Sequence, residues 1–220
     1  VLLTWFYCWA SPTMTPRSWL VVALTTVWGA RLSWHILRRN QGKGEDPRYR
    51  AMRARRGPAF WWQSLFTVFW LQGAILWFVA LPLLVAVVAP EPSALTLVDG
   101  LGLLVFAVGF GFEVVGDHQL ERFRADAGNR GQVLDTGLWR YTRHPNYFGD
   151  ATMWWGLYAT AAATPGGWLT ALSPILMTFL LLRVSGVTLL EKGLKASRPG
   201  YQAYASRTSV FVPWFPHTQR

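Results

Sequence analysis

Residues 137–163 read GLWRYTRHPNYFGD followed by ATMWWGLYATAAA, a dense polar motif set directly against an apolar, tryptophan-rich run. Arg140, Arg143, His144, Asn146, Tyr147 and Asp150 fall within eleven residues, and the next thirteen carry no charge. A run of that kind reads as a helix entering a membrane, and ionisable groups clustered at its mouth mark a functional site by default. The donor-rich composition points to an anionic ligand at the membrane's edge.

The same contrast recurs outward along the chain. Its 220 residues are 52% hydrophobic and include 14 Trp, with a mean hydropathy of +0.21. The apolar runs are too long for a soluble core, so the fold class is an all-α integral membrane protein, a single domain over 1–220. Six transmembrane helices are visible, roughly at 1–11, 18–37, 59–89, 95–115, 149–163 and 168–190. The opening VLLTWFYCWA is about half the ~20 residues a span needs, so it reads as the tail of a span whose beginning is missing, and seven helices with a truncated N-terminus are expected in all. Pro82 is expected to kink the third run without breaking it, because neighbouring helices can satisfy the freed carbonyl. Gly100, Gly102, Gly109 and Gly111 point to close helix packing. No strand precedes them, so GFGFE is no dinucleotide fingerprint.

Formal charge is +10, yet the cations sit between apolar runs and report topology rather than nucleic acid. Segments 38–58, 117–148 and 191–220 hold nearly all the charge; 12–17, 90–94 and 164–167 hold almost none. The positive-inside rule makes the charged side cytoplasmic, with every candidate site on it. Cys8 is the single cysteine, which excludes a disulfide framework and a Cys-based metal site.

Within this frame, Arg31 and His35 lie one helical turn apart inside a span, where a charge costs about 2.5–3.5 kcal/mol. Residues 38–56, RRNQGKGEDPRYRAMRARR, hold eight Lys or Arg against two acids; their Gly-Lys-Gly turn either folds over an anion or lies on the headgroups. Glu113, Asp117 and Glu121 recur every four residues on one face, followed by Arg124, and suit ribose or carboxamide contacts or neutralise nearby arginines. Tyr201, Tyr204 and Arg207 share a face in the tail, where rings and a guanidinium suit a base and a phosphate, or equally an interfacial belt.

LDTGLWRYTRHPNYFGDATMWWG, the tail LLEKGLKASRPGYQAYASRTSVFVPWFP and the loop TVWGARLSWHILRRNQGKGEDPRY together resemble the bacterial branch of the steroid 5-alpha-reductase family, akin to the sterol reductases. The resemblance covers most of the chain from about Leu20. It implies an NADPH-dependent oxidoreductase that reduces an activated carbon–carbon double bond of a steroid or other lipid, within a seven-helix fold closing over the cofactor from the cytoplasmic side of a bacterial inner membrane. By motif, Asn146, Tyr147 and Asp150 would hold NADPH, with Arg143 and His144 beside them. Glu113, Asp117 and Arg124 would contact it from the preceding helix, Arg31, Arg39, Asn40 and Lys43 from the phosphate side, and Tyr204 and Arg207 as a C-terminal clamp.

The lipid substrate would enter laterally from the membrane. Tyr147 and Tyr7 are the candidate catalytic donors to its carbonyl, because the acidic and amide pair and the tyrosine that grip it in the eukaryotic steroid reductases are not evident; Trp28 stands in that tyrosine's place. Isoprenylcysteine carboxyl methyltransferases share a shorter RHPxY block, which gives the alternative: an S-adenosylmethionine-dependent membrane methyltransferase. Their tail carries paired glutamates where this chain has Glu191-Lys192. A non-enzymatic lipid-binding protein would need no polar cluster at 140–150.

Overall fold

The computed structural model describes residues 1–42, 44–184 and 186–217; Lys43, one of the expected cofactor contacts, lies outside them. All regular structure among the described residues is helical. Among the described residues four helical runs, Pro16–Asn40, Tyr49–Val79, Leu97–Ala125 and Gly167–Ser197, are long and apolar enough to cross a membrane, and the chain is an integral membrane protein. Six spans were expected. The difference lies in α1 (Leu2–Ala10) and α8 (Pro145–Ala162), which pack into the bundle without meeting that criterion; α6 (Leu81–Val88) is the end of the expected 59–89 run.

Helix starts follow local chemistry. In α2 (Pro16–Asn40) the Thr15 side chain caps the Ser18 amide, Ser18 caps back, and Pro16 occupies the first turn. In α7 (Leu97–Ala125) Thr96 and Asp99 form the same reciprocal box. α7 outruns its expected end at residue 115 by ten residues. α8 starts at Pro145, inside the motif, so Asn146, Tyr147 and Asp150 are helical residues.

The 59–89 run was expected to kink at Pro82 without breaking, but its helix is interrupted at Ala80. α4 (Phe60–Ser64), a π-helical stretch at Leu65–Trp70 and α5 (Leu71–Val79) continue from the basic helix α3 (Pro47–Arg56), and the chain turns at Ala80 before α6. Pro82 has no N–H for the Phe78 carbonyl. The Ser173 hydroxyl donates to that carbonyl instead, at 2.7 Å, so the neighbouring helix α9 (Leu172–Phe179) supplies the bond the proline removed.

α7 and α8 form the tightest packing. A Cβ on Gly109 would meet Gly149 O and Met153 N at 2.6 Å, and one on Gly156 would meet Phe106 N at 2.6 Å. Gly102, Gly109 and Gly116 recur every seven residues against Gly156, Gly149 and Pro145, which fixes the pair as antiparallel. Of the glycines expected to pack, Gly102 and Gly109 do; Gly100 and Gly111 face open space. The apolar core lies beside this seam, where Tyr7, Val21, Val22, Leu83, Met153 and Leu157 come together.

Both ends of the bundle are pinned by charge. At one, Arg17 and Asp99 meet at 2.7 Å with 0% and 1% exposure, and the guanidinium also donates to Pro92 O. At the other, basic end, α7 and α8 meet α10 (Val187–Ser197) and α11 (Tyr201–Arg207).

Candidate functional site

At the basic end, α2 and α7 are joined by Arg31. Its guanidinium reaches Glu113 Oε1 at 2.7 Å and Asp117 Oδ2 at 2.6 Å. Trp28 Nε1 donates to the second Glu113 oxygen at 3.1 Å, and Asn146 Nδ2 donates to Asp117 Oδ1 at 3.1 Å. His35, one turn beyond Arg31, lies 3.2 Å from Glu121. The four-residue spacing of Glu113, Asp117 and Glu121 is thus matched by Arg31 and His35, and this pairing carries α7 past the apolar run as a helix. Asp150 stands one turn after Asn146 on α8, close to Glu113 and Asp117; its Oδ1 is sealed from solvent with no hydrogen-bond partner.

Asn146 also lines a cavity of about 140 Å³ between α7, the 132–146 segment, α10 and α11. Arg124, Arg143 and Arg198 bring three guanidiniums to it, with Tyr201 and Tyr204 as its aromatic wall. Arg124 lies within electrostatic reach of Arg198 and Arg39. Among the described residues neither Arg124 nor Arg198 pairs with a carboxylate within 4.0 Å. Asp117 is the acid within electrostatic reach of Arg124; guanidiniums converging with no carboxylate in direct contact favour an anion between them. The enclosed volume is below the roughly 300–1,000 Å³ of a whole cofactor site, so it suits one part of a dinucleotide, the remainder lying along the open side.

Arg143 differs from the other two. Its Nε lies 3.0 Å from Glu191 Oε1 as an ion pair, and its NH1 donates to Ala205 O at 3.1 Å, so it braces the tail against the motif. His144 Nε2 is 3.4 Å from the same Glu191 oxygen, and its ring stacks on Tyr147 at 5.6 Å and 6°. Burial lowers the His144 pKa below 6.5, partly opposed by the Glu191 carboxylate. Burial, with Glu191 adding to it, pushes Tyr201 up to about 12, and Tyr204 is raised by burial as well. Both phenols are therefore neutral donors near pH 7. The Tyr204 hydroxyl donates to Trp139 O at 2.6 Å, whereas the Tyr201 hydroxyl faces the Glu191 carboxylate.

The expected residues thus divide into groups. Arg124, Arg143, His144, Asn146 and Tyr204 line the cavity, while Arg31, Glu113, Asp117 and Asp150 form the network behind Asn146. Arg39 and Asn40 are exposed at the end of α2. Arg207 is turned away from the cavity: it pairs with Asp135 and lines a separate cleft with Arg140. Tyr7 lies in the apolar core, its hydroxyl unpartnered. No group of three or more His, Cys, Asp or Glu suited to a metal occurs among the described residues.

Two further residues belong to this region without being expected from the sequence: Arg198, which lines the cavity, and Glu191, which lies behind its wall against Arg143 and His144. Each had a signal: Glu191 is the sole acid of residues 187–217, and Arg198 precedes the Pro-Gly turn into α11. The tail after them folds back on the motif, with Arg143 N donating to Ser209 O at 2.9 Å, Thr142 Oγ1 to Phe211 O at 2.8 Å and Trp214 N to Tyr141 O at 2.9 Å.

Residues 1–208 match the family described as "Protein of unknown function (DUF1295)". The chain belongs to that family. It is 26% identical over 221 residues to "Uncharacterized protein C594.04c" of Schizosaccharomyces pombe, covering 90% of this chain and 63% of that protein; the chain therefore spans somewhat under two thirds of the relative's length. No solved structure matches it.

Proposed function

We propose that this protein is an NADPH-dependent reductase of an enone-type carbon–carbon double bond in a lipid, with its basic end facing the cytoplasm. The observation that carries the reading is that Asn146 lines a cavity holding Arg124 and Arg198 without carboxylate partners and donates to Asp117, beside the sealed Asp150 carboxyl. The donor set fits the cofactor at both ends. Arg124 and Arg198 suit phosphates, Tyr201 and Tyr204 suit a flat base, and the Asp150 oxygen suits a carboxamide N–H. Arg31 holds Glu113 and Asp117 in place, and Asp117 orients the Asn146 amide.

Bound NADPH would supply the hydride for the β-carbon of the enone. The residues here would orient the reactants, keep water out and manage the proton. Tyr147, stacked against His144, is the proposed acid: its phenol would donate toward the carbonyl as the π pair moves onto the α-carbon and oxygen. The oxygen returns that proton to Tyr147 as the carbonyl reforms, and the α-carbon takes the one net proton, which comes from solvent. Because the site opens within a membrane protein, a lipid can reach it laterally. Steroids are one such class.

A methyltransferase using S-adenosylmethionine is the second reading, supported by Glu191, which stands beside His144 where that family carries acidic residues. The deciding experiment is thermal stabilisation of the detergent-solubilised protein by NADPH, NADH or S-adenosylmethionine, since a ligand that binds only the folded state raises its apparent stability. An upward shift with NADPH alone is expected; a shift with S-adenosylmethionine alone would overturn the reductase reading.

A further inference from the structure

The tail carries one carboxylate among Lys192, Lys195, Arg198 and Arg207, and the fold uses it at the site. Glu191 is 12% exposed, with Oε1 shared between Arg143 Nε at 3.0 Å and His144 Nε2 at 3.4 Å; Lys195 lies 4.0 Å from Oε2. An ionised carboxylate only accepts, so a His144 ring bonded to it carries its proton on Nε2 and leaves Nδ1 as the acceptor. That ring lies parallel to Tyr147. Tyr147 packs in turn on Gly186, where a Cβ would sit 2.9 Å from its Cε2.

We propose that Glu191 is the positioning residue of this site, fixing the tautomer and plane of His144 and, through the stacked pair, the orientation of Tyr147. The chain of contacts runs from α10 to the motif at the start of α8, so the site is assembled only when α10 is docked. In naming Tyr147 as the acid we rest on the reductase reading; the coupling of Glu191 to His144 does not depend on it. The charged and titratable groups around His144 are Arg143 and Tyr147 on its own segment, Glu191 and Lys195 from α10, Tyr201 from α11, and Arg124 and Arg198 across the cavity. Of these, Glu191 is the group that favours a protonated ring at close range.

The test combines nitrogen NMR of histidine-labelled protein with NADPH-dependent thermal shifts in Glu191→Gln and Lys195→Ala. The chain has 4 His, which keeps the spectra assignable. In the parent, His144 is expected as the Nε2-protonated neutral tautomer at pH 7.

In Glu191→Gln its titration midpoint falls by about one pH unit, and NADPH affinity falls about tenfold, the scale of one charged hydrogen bond. Lys195→Ala leaves both nearly unchanged. An unmoved His144 titration in Glu191→Gln would overturn the proposal, as would a moved titration with full NADPH affinity in a protein that binds NADPH. If the parent does not respond to NADPH but the His144 titration still moves, the positioning role stands and the reductase reading falls.

Discussion

The Arg31 guanidinium holds Glu113 and Asp117, one helical turn apart on α7, at 2.7 and 2.6 Å. It ties α2 to α7 and, through the bond from Asn146 to Asp117, to the first turn of α8. Arg31→Ala would leave two nearly buried carboxylates without their cation. A loss of about 3 kcal/mol is expected, at the low end for breaking a buried pair because Arg31 is 20% exposed. Thermal unfolding in detergent would measure it. A variant as stable as the parent would show that water, rather than Arg31, solvates these acids.

The α7–α8 seam gives a contrast between glycines. Gly109→Ala places a Cβ 2.6 Å from backbone atoms of Gly149 and Met153, which the helices relieve only by separating. Destabilisation by about 1–3 kcal/mol is expected. At Gly111, where a Cβ meets open space, alanine should stabilise by about 0.5–1 kcal/mol through the unfolded chain. Equal melting temperatures for the two variants would refute the seam.

The apolar runs and the charge asymmetry were enough to read an all-helical membrane protein, because each depends on local composition. Span counting was less secure: the runs at 1–11 and 149–163 form the helices α1 and α8, yet neither is long and apolar enough to cross a membrane. The polar motif was legible for the same local reason, and Asn146 and Asp150 do share a helix face. Arg207 illustrates the opposite case. Its i, i+3, i+6 spacing with Tyr201 and Tyr204 placed it on the cavity, but α11 ends at Arg207 and Asp135, far away in sequence, draws it outward. Glu191 is hard to read because a lone acid in a basic tail has no periodicity to reveal it, and Arg198 because it is one cation among several there.

His144 should leave a mark on the acid side of the stability curve. Its folded pKa lies below 6.5 through burial, so the unfolded chain binds the extra proton more readily. Stability from this group is then fully present above about pH 6.5 and declines as pH falls toward the folded value. His144→Gln should flatten the fall in melting temperature between about pH 6.5 and 5. A parent and variant with parallel pH profiles would remove His144 as the source.

Ser173 offers a test of how the α5–α6 break is tolerated. Its hydroxyl satisfies the Phe78 carbonyl that Pro82 leaves without an amide partner. Ser173→Ala strands that carbonyl in a side-chain environment fully closed to solvent, Ser173 itself being 0% exposed. A cost of about 1–3 kcal/mol is expected. Replacing Pro82 by Ala in the same background should restore part of it by returning an N–H to the helix, and failure of that rescue would separate the serine from the proline.

The two arginine clefts separate ligand binding from surface charge. Arg198 lines the cavity and Arg207 does not, although both are tail arginines in or beside α11. Under the proposed function, Arg198→Ala or Arg124→Ala removes a guanidinium with no carboxylate partner, and NADPH-dependent stabilisation should fall by the equivalent of at least about tenfold in affinity, as expected for one charge-assisted contact to phosphate. Arg207→Ala releases only an exposed pair with Asp135, worth about 0–1 kcal/mol to stability, and should leave the NADPH response intact. Comparable losses in all three variants would mean that the tail attracts the cofactor by its overall charge; a loss confined to Arg207→Ala would move the phosphate site to the outer cleft.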